Sequence, residues 1–219
     1  MFQPKCVFPL AEFFYLEEQK MKKQNIMRLT ETAVFIALAV ALSMVKIFKL
    51  PLGGSVTLVS MLPICILSFR YGIKWGFFSS FIYSLFQLML GITMDGLLGW
   101  GLTPIMLVGC ILFDYIVAFT VLGIAGIFKK KGEAGLYAGL SLAFLLRFVS
   151  HVISGYFIFA YLDQWEIFGS TFENAPLLYS ICYNATYILP ELIITIAVIV
   201  ALMRFVAVKK LIFNNNTEK

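Results

Sequence analysis

The sequence is poor in charge, and this excludes a soluble fold. Only 13% of its 219 residues are charged, whereas 61% are hydrophobic and the mean hydropathy is +0.91. A soluble domain of this size does not expose so much apolar surface. The apolar runs have the length of helices and lack the alternation of a membrane barrel, so the sequence predicts an all-α integral membrane protein.

Several sequence motifs of metal-binding, nucleotide-binding and catalytic sites are also missing. The four cysteines, at 6, 65, 110 and 182, have no close spacing, which favours neither disulfides nor a metal site. The chain contains no GxxxxGK[ST] segment for ATP and no HExxH or GxSxG motif. We expect no cofactor and no metal. The net charge of +5 does not indicate nucleic acid, because the basic residues mark one side of a membrane.

The apolar runs predict a six-transmembrane-helix bundle. The predicted helices cover 30–48, 60–69, 75–90, 102–128, 134–161 and 176–206, within a membrane domain of 29–207 between tails at 1–28 and 208–219. Met21 and Met27 leave a later translation start open. Lysine and arginine concentrate in the tails and in the loops after helices 2 and 4, so the positive-inside rule predicts that both termini are cytoplasmic.

Polar side chains within the predicted spans are the candidates for function. Arg147 and His151, the only histidine, lie one helical turn apart and share a helix face. Helix rise places Asp114, His151 and Asn184 roughly 22, 25 and 30 Å from the cytoplasmic ends of their helices. Tyr179 lies one turn further out. All four therefore fall in the outer half of the membrane, as an outward-opening small-molecule pocket requires.

A second pair is predicted deeper in the membrane. Arg147 and Glu191 have the same offset from the cytoplasmic ends of helices 5 and 6, and we expect them to form a structural ion pair. Asp114 would then remain free for a cationic ligand. A plainer interpretation also exists for each group, because a lone histidine is often a satisfied core residue and Asn or Tyr often only joins helices.

Two further features concern the first helix and the loop after it. Ala33, Ala37 and Ala41 form a ladder of small residues, which suits either tight packing inside the bundle or docking of another membrane protein. The segment LPLGGSVTL is rich in turn residues and suits a lid.

Five segments together resemble a known family. They are TETAVFIALA at 30–39, LP at 62–63 with SFRYG, DYIVAFTVLGIAGIF at 114–128, LLRFVSH at 145–151 and YSICYNATYILPELIIT at 179–195. In order and spacing they resemble the thiamin-specific substrate-binding component of energy-coupling factor (ECF) transporters. The resemblance implies thiamin as ligand, a membrane coupling subunit and two ATPase subunits as partners, and location in a bacterial cell membrane.

The resemblance also implies the binding residues. The acidic ligand residue of the family falls on Asp114, where the carboxylate side chain is one methylene shorter. The remaining binding positions fall on Tyr115, His151, Phe159, Tyr179 and Asn184, with Phe159 replacing a tryptophan. The Trp and Glu of the first loop in one branch have no counterpart among Gly53, Gly54, Ser55 and Thr57. The alanine ladder becomes a docking face for the coupling subunit.

Three other functions stay open from the sequence. They are a substrate-binding component for another cationic or aromatic vitamin or precursor, an intramembrane enzyme that uses Asp114 and His151 as an acid–base pair, and a solitary cation exporter. The enzyme is less well supported than the other vitamin-binding component, because no nucleophile with an adjacent base is evident.

Overall fold

The computed structural model describes residues 8–50, 53–159 and 175–213. These ranges are predominantly helical, with one small β-hairpin. The elements are α1 (Phe8–Met44), β1 (Lys46–Lys49), β2 (Ser55–Thr57), α2 (Leu62–Tyr71), α3 (Ile73–Thr93), α4 (104–131), α5 (Gly132–Ser154, continued by Gly155–Phe159), α6 (Pro176–Leu202) and α7 (Val206–Phe213), with a short 3₁₀ turn at Leu97–Gly99. The last part of α4, Val121–Lys131, is also 3₁₀.

Four stretches within the described ranges are long and apolar enough to cross a membrane. They are Phe13–Met44, Ile73–Thr93, Pro104–Phe159 and Pro176–Leu202, and α2 is a shorter apolar helix. The stretch Pro104–Phe159 folds back on itself, because Phe128 leaves the helical conformation and Gly132 has φ +61°. As a result, the first turns of α4 contact the last turns of α5.

The first predicted helix has the wrong limits. The prediction was 30–48, but α1 begins at Phe8 and ends at Met44, and Lys46 to Phe48 belong to β1. β1 pairs antiparallel with β2, and the Leu50 N–H donates to the Gly54 carbonyl at 2.6 Å to close the turn. The prediction of an all-α chain is therefore wrong at this hairpin, where strand pairing takes up the backbone polar groups.

The other predicted helices agree with the structure to within a few residues, apart from the last. α6 ends at Leu202 rather than at 206, and the separate helix α7 follows it. α7 packs against α2, where Ile212 is buried and the Arg70 guanidinium donates to the Leu211 carbonyl. The predicted end of the fifth helix and the polar loop that follows lie outside the described residues.

Small residues let the central helices approach closely. The Ser68 hydroxyl on α2 accepts from the Gly126 N–H at 2.9 Å and donates to the Gly123 carbonyl of α4. A Cβ on Gly123 would lie 2.5 Å from the Phe77 nitrogen, and one on Gly76 would lie 2.3 Å from the Ser68 hydroxyl oxygen. Side chains at these glycines would force α2, α3 and α4 apart.

A buried ion pair joins α5, α6 and the hairpin. Arg147 Nη1 donates to Glu191 Oε2 at 3.0 Å, and the two side chains are 7% and 1% exposed. Thr57 of β2 donates to Glu191 through its hydroxyl, and more weakly through its N–H at 3.4 Å. The Arg147 guanidinium also lies 4.9 Å from the centroid of the Phe119 ring. One carboxylate thus holds three elements together.

The stability losses of the two single variants of this pair should add up to more than the loss of the double variant. Arg147→Met or Glu191→Gln leaves the other charge buried without its partner, which typically costs about 3–5 kcal/mol. We expect the double variant to lose clearly less than the sum of the single losses in detergent thermal unfolding.

The exposed pair Glu18–Lys22, with N···O 2.8 Å, is the matched control. Its double variant Glu18→Gln/Lys22→Met should cost at most about 0.5 kcal/mol. Strictly additive losses at Arg147 and Glu191 would show that these two residues do not stabilise each other.

Candidate binding site

A cavity lies at the end of the bundle that carries the hairpin. It is bounded by the last residues of α1 and α3, the hairpin, the N-terminal half of α4, the C-terminal half of α5 and the N-terminal half of α6. All six predicted binding residues line it: Asp114, Tyr115, His151, Phe159, Tyr179 and Asn184. Arg147 and Glu191 line it as well. The structure therefore brings residues from three helices into one cavity.

Asp114 is hydrogen-bonded to two side chains of α5. His151 Nδ1 lies 2.8 Å from Asp114 Oδ1, and the Ser154 hydroxyl donates to Oδ2. Asp114 lies in a π-helical segment, Ile111–Val117, and such wide turns occur frequently at functional sites. Asp114 is free of Arg147, as expected, and in addition it accepts hydrogen bonds from His151 and Ser154, which lie three residues apart on the face of α5 that meets α4.

These hydrogen bonds leave the charge of Asp114 without a Lys or Arg partner. In the described parts of the chain, the ion-pair contact of Asp114 is with His151 alone. Arg147, the nearest arginine along α5, pairs with Glu191. Hydrogen bonds from a neutral imidazole and a hydroxyl stabilise a carboxylate but do not cancel its charge. The cavity therefore contains a carboxylate that contacts no Lys or Arg in the described parts of the chain.

The second ring nitrogen of His151 is buried and unpaired. His151 Nε2 has no hydrogen-bond partner within the described ranges, although the residue is only 8% exposed. A neutral imidazole that donates from Nδ1 to a carboxylate presents Nε2 as an acceptor. Because buried polar atoms are nearly always paired, this atom is a candidate acceptor for the N–H of a ligand.

Aromatic rings form one wall of the cavity. Tyr179 and Tyr183 stack with centroids 6.0 Å apart and an interplanar angle of 24°, and Tyr187 continues the row at 6.0 Å from Tyr183. On another side, the Trp100 and Phe159 rings meet edge to face at 6.1 Å. Sequence reasoning missed Trp100, Tyr183 and Tyr187 as site residues. The i, i+4, i+8 spacing of the three tyrosines was a signal that they share one face of α6.

Asn184 serves mainly to join helices. Its Nδ2 donates to the Ser180 carbonyl at 2.9 Å and to the His151 carbonyl at 3.3 Å, while Oδ1 accepts from the Tyr187 hydroxyl at 2.6 Å. Both N–H groups of the amide thus have protein acceptors nearby. Only the second lone pair of Oδ1 remains for a ligand, so the helix-joining interpretation of this residue is the better one.

Tyr115 points toward α3. A Cβ on Gly91 would lie 2.3 Å from the Tyr115 hydroxyl oxygen, so a glycine at 91 makes room for the ring. Tyr115 is 9% exposed and fills the contact between α3 and α4 beside Asp114. This contact sets the position of Asp114 along the bundle axis relative to α3.

The hairpin covers the cavity and is held on three sides. The Gly54 N–H donates to the Tyr183 hydroxyl oxygen at 3.3 Å, and Thr57 donates to Glu191. Gly53 has φ +94°, and a Cβ there would lie 2.6 Å from the Trp100 ring. Only glycine fits this conformation and this close approach. The described part of the turn-rich segment, residues 53–57, therefore lines the cavity on the side of the hairpin.

The alanine ladder lies away from the cavity. Ala33, Ala37 and Ala41 are exposed, while Ile36 and Ala39 on the opposite side of α1 are buried in the core. The small-residue face is thus exposed on the surface of the described bundle.

Known proteins are similar to this chain in sequence and in fold. The sequence profile of the thiamine transporter protein (Thia_YuaJ) family matches residues 29–211. The thiamine transporter ThiT of Bacillus subtilis (strain 168) is 33% identical over 190 residues, which cover 79% of this chain and 88% of that protein. The solved structure of ThiT from Listeria monocytogenes has a TM-score of 0.65 and 18% identity over 84% of this chain and 98% of that chain, a likeness of fold.

The profile match spans most of the chain, and the curated relative shares a third of the aligned residues. Both agree with the resemblance drawn from the five sequence motifs, which is thereby confirmed. The chain is a membrane protein of the thiamine transporter (Thia_YuaJ) family.

Proposed function

We propose that this protein is the thiamin-binding membrane subunit of an ECF-type importer and that it captures thiamin with high affinity in the cavity beside Asp114. The observation that carries the proposal is the Asp114 carboxylate, which has no Lys or Arg partner among the described residues and lies beside an unpaired histidine nitrogen and a row of tyrosines. Thiamin has the complementary chemistry, because it is a permanent cation with a flat aminopyrimidine.

The two halves of thiamin match different parts of the site. Asp114 attracts the cation, and it still has lone pairs for the pyrimidine amine after accepting from His151 and Ser154. His151 Nε2 offers a further acceptor to that amine. The Tyr179 and Tyr183 rings lie nearly parallel, which suits stacking of a flat ring on this wall, and aromatic faces also attract cations.

The arrangement of charge supports an outward-facing cavity. The end of the bundle opposite the hairpin carries Arg28, Arg70, Lys74, Lys129, Lys130, Lys131, Arg204 and Lys209. The hairpin end carries Lys46 and Lys49 in its described part. By the positive-inside rule the basic end is cytoplasmic. Counting α2 and the two arms of Pro104–Phe159 as separate crossings gives six, with both termini in the cytoplasm.

The exposed alanine face supports a membrane partner. Ala33, Ala37 and Ala41 offer a smooth, unoccupied surface on α1 where another helix can approach closely. The 219 residues contain no ATP-binding P-loop, so the energy for import would come from a coupling subunit with two ATPase subunits.

The enzyme alternative finds no support in the site. An activated nucleophile needs a hydrogen bond to its base. Here the Ser154 hydroxyl donates to Asp114 Oδ2 and His151 Nδ1 faces Asp114 Oδ1, so the imidazole is not placed as the base of Ser154. A substrate-binding role for a different cationic or aromatic vitamin would appear as strong binding of that compound and weak binding of thiamin.

Neutralising Asp114 should weaken thiamin binding strongly. Asp114→Asn keeps the size of the side chain but removes the charge, which should cost about 2–5 kcal/mol of binding free energy in this partly dehydrated site. Calorimetric titration of purified protein measures this loss. Glu191→Gln should cost much less, because Glu191 already pairs with Arg147, and Glu133→Gln at the opposite end should cost nothing.

Equal affinities for wild type and Asp114→Asn would contradict the assignment of Asp114 as the ligand's counter-charge. Thermal unfolding of each variant shows whether it is folded before titration.

Bulk on the alanine face should separate binding from uptake. Ala37→Trp should abolish thiamin uptake by cells and leave thiamin binding by the isolated subunit intact, because Ala37 faces away from the cavity. Ile193→Trp, on an exposed position of α6, is the control and should preserve uptake. If Ala37→Trp also abolishes binding, the face is needed for folding of the bundle and is not a docking surface.

A further inference from the structure

Two arginines and two aromatic rings meet at the end of the bundle opposite the hairpin. The guanidinium groups of Arg28 on α1 and Arg70 on α2 lie 5.1 and 5.3 Å from the centroid of the Tyr71 ring. The Arg28 guanidinium also lies over the Trp75 ring of α3, 3.8 Å from its centroid. We call these four residues, together with Lys74, the rim cluster. Two like charges beside one ring repel each other, so the cluster attracts negative charge.

The negative charge next to the rim cluster comes from Glu31, which is already paired. Glu31 Oε1 accepts from Arg70 Nη2 at 3.0 Å, and Oε2 accepts from the Tyr71 hydroxyl. Among the described residues no carboxylate pairs with Arg28, and Arg28 Nε has no hydrogen-bond partner there. Lys74 adds a third cation, so the described side chains leave two positive charges in excess. The aromatic contacts stabilise the Arg28 guanidinium without neutralising it.

The rim cluster lies where the bundle meets the headgroups of the membrane. Lys74 is exposed beside Trp75, in the first turn of the apolar span α3. Phe77 and Phe78, further along α3, are 36% and 49% exposed, and the Phe78 ring lies 5.2 Å from the Trp75 ring. Exposed apolar rings in a span face acyl chains, and tryptophan is typical of the headgroup level. A lipid can therefore contact the charged and the apolar part of this surface together.

We propose that Arg28 and Lys74 bind the phosphate of an anionic phospholipid. This phosphate carries negative charge and acceptor oxygens, and a planar guanidinium binds phosphate through two parallel N–H groups. Stacking on Trp75 holds the Arg28 guanidinium in place before the lipid arrives, which lowers the entropic cost of binding. Lys74 contributes a second charge beside it, because an ammonium binds phosphate as a point charge.

The surroundings favour a lipid over a soluble phosphate. The exposed phenylalanines of α3 offer acyl chains a surface that continues from the headgroup level into the membrane, and a soluble phosphate uses none of it. The inference goes beyond thiamin transport and takes from the proposed function only that this end is cytoplasmic. Anionic lipids of the cytoplasmic leaflet attract basic residues close to the membrane.

Lipid retention in native mass spectrometry tests the site. Full-length protein in a mild detergent is mixed with equal amounts of phosphatidylglycerol and phosphatidylcholine of the same chain length, and the ratio of the two bound lipids is measured. Wild type is compared with Arg28→Gln/Lys74→Gln and with Arg28→Lys. The control Lys130→Gln/Lys131→Gln removes the same number of positive charges from the same end, at exposed positions where α4 meets α5.

We expect wild type and the control to prefer phosphatidylglycerol, and the double variant Arg28→Gln/Lys74→Gln to lower the ratio about tenfold or more. Each basic residue near an anionic surface contributes roughly fivefold. Arg28→Lys should lower the ratio severalfold, because an ammonium keeps the charge but cannot bind phosphate through two parallel N–H groups. Arg28→Lys also decides the question if the double variant does not fold.

Equal ratios in all four proteins, or equal losses in the double variant and the control, overturn the site. In the second case the attraction belongs to the whole basic end of the bundle. Displacement of phosphatidylglycerol from wild type by an excess of glycerol phosphate overturns the choice of a lipid as the ligand. The measurement needs no thiamin, so failure of the proposed function is seen separately, in the thiamin titrations.

Discussion

The requirement that a charge inside a membrane must have a partner organises the interior of this protein. A buried charge that loses its partner is costly, so each ionised side chain in the bundle needs a compensating group. Arg147 and Glu191 compensate each other and, through Thr57, also anchor the hairpin. Asp114 is hydrogen-bonded to His151 and Ser154 and contacts no Lys or Arg in the described structure. The other described carboxylates that line the cavity, Asp95 and Glu191, pair with a Lys or an Arg, whereas Asp114 does not.

The packing around Asp114 keeps it in place. The π-helical segment of α4 widens the helix at this level, Tyr115 fits against Gly91 of α3, and the Ser150 hydroxyl donates to the Phe113 carbonyl at 2.6 Å. A carboxylate fixed by α3, α4 and α5 does not have to be reorganised when a cation arrives. Preorganisation of this kind reduces the entropic cost of binding.

Regular helix geometry made much of the site predictable. A constant rise per residue placed Asp114, His151 and Asn184 at one level, and the structure places all three around one cavity. Geometry of this kind could not show that the Asn184 amide donates to the Ser180 and His151 carbonyls, because such contacts depend on how α5 and α6 are rotated about their axes.

The hairpin was not predicted, for a similar reason. The segment KIFK continues an apolar helix in sequence, and only its pairing with Ser55–Thr57 makes it a strand. The contact of Lys46 with Asp95, 49 residues away, depends on that pairing.

The central claim is that a cationic ligand completes the charge of Asp114. The most direct measurement is an experimental structure of the wild-type protein with thiamin bound. The account predicts thiamin in the cavity under the hairpin, with its amine or its thiazolium ring in contact with the Asp114 carboxylate and a ring against the tyrosines of α6. Thiamin bound outside this cavity, or bound within it with no atom near Asp114, would contradict the account.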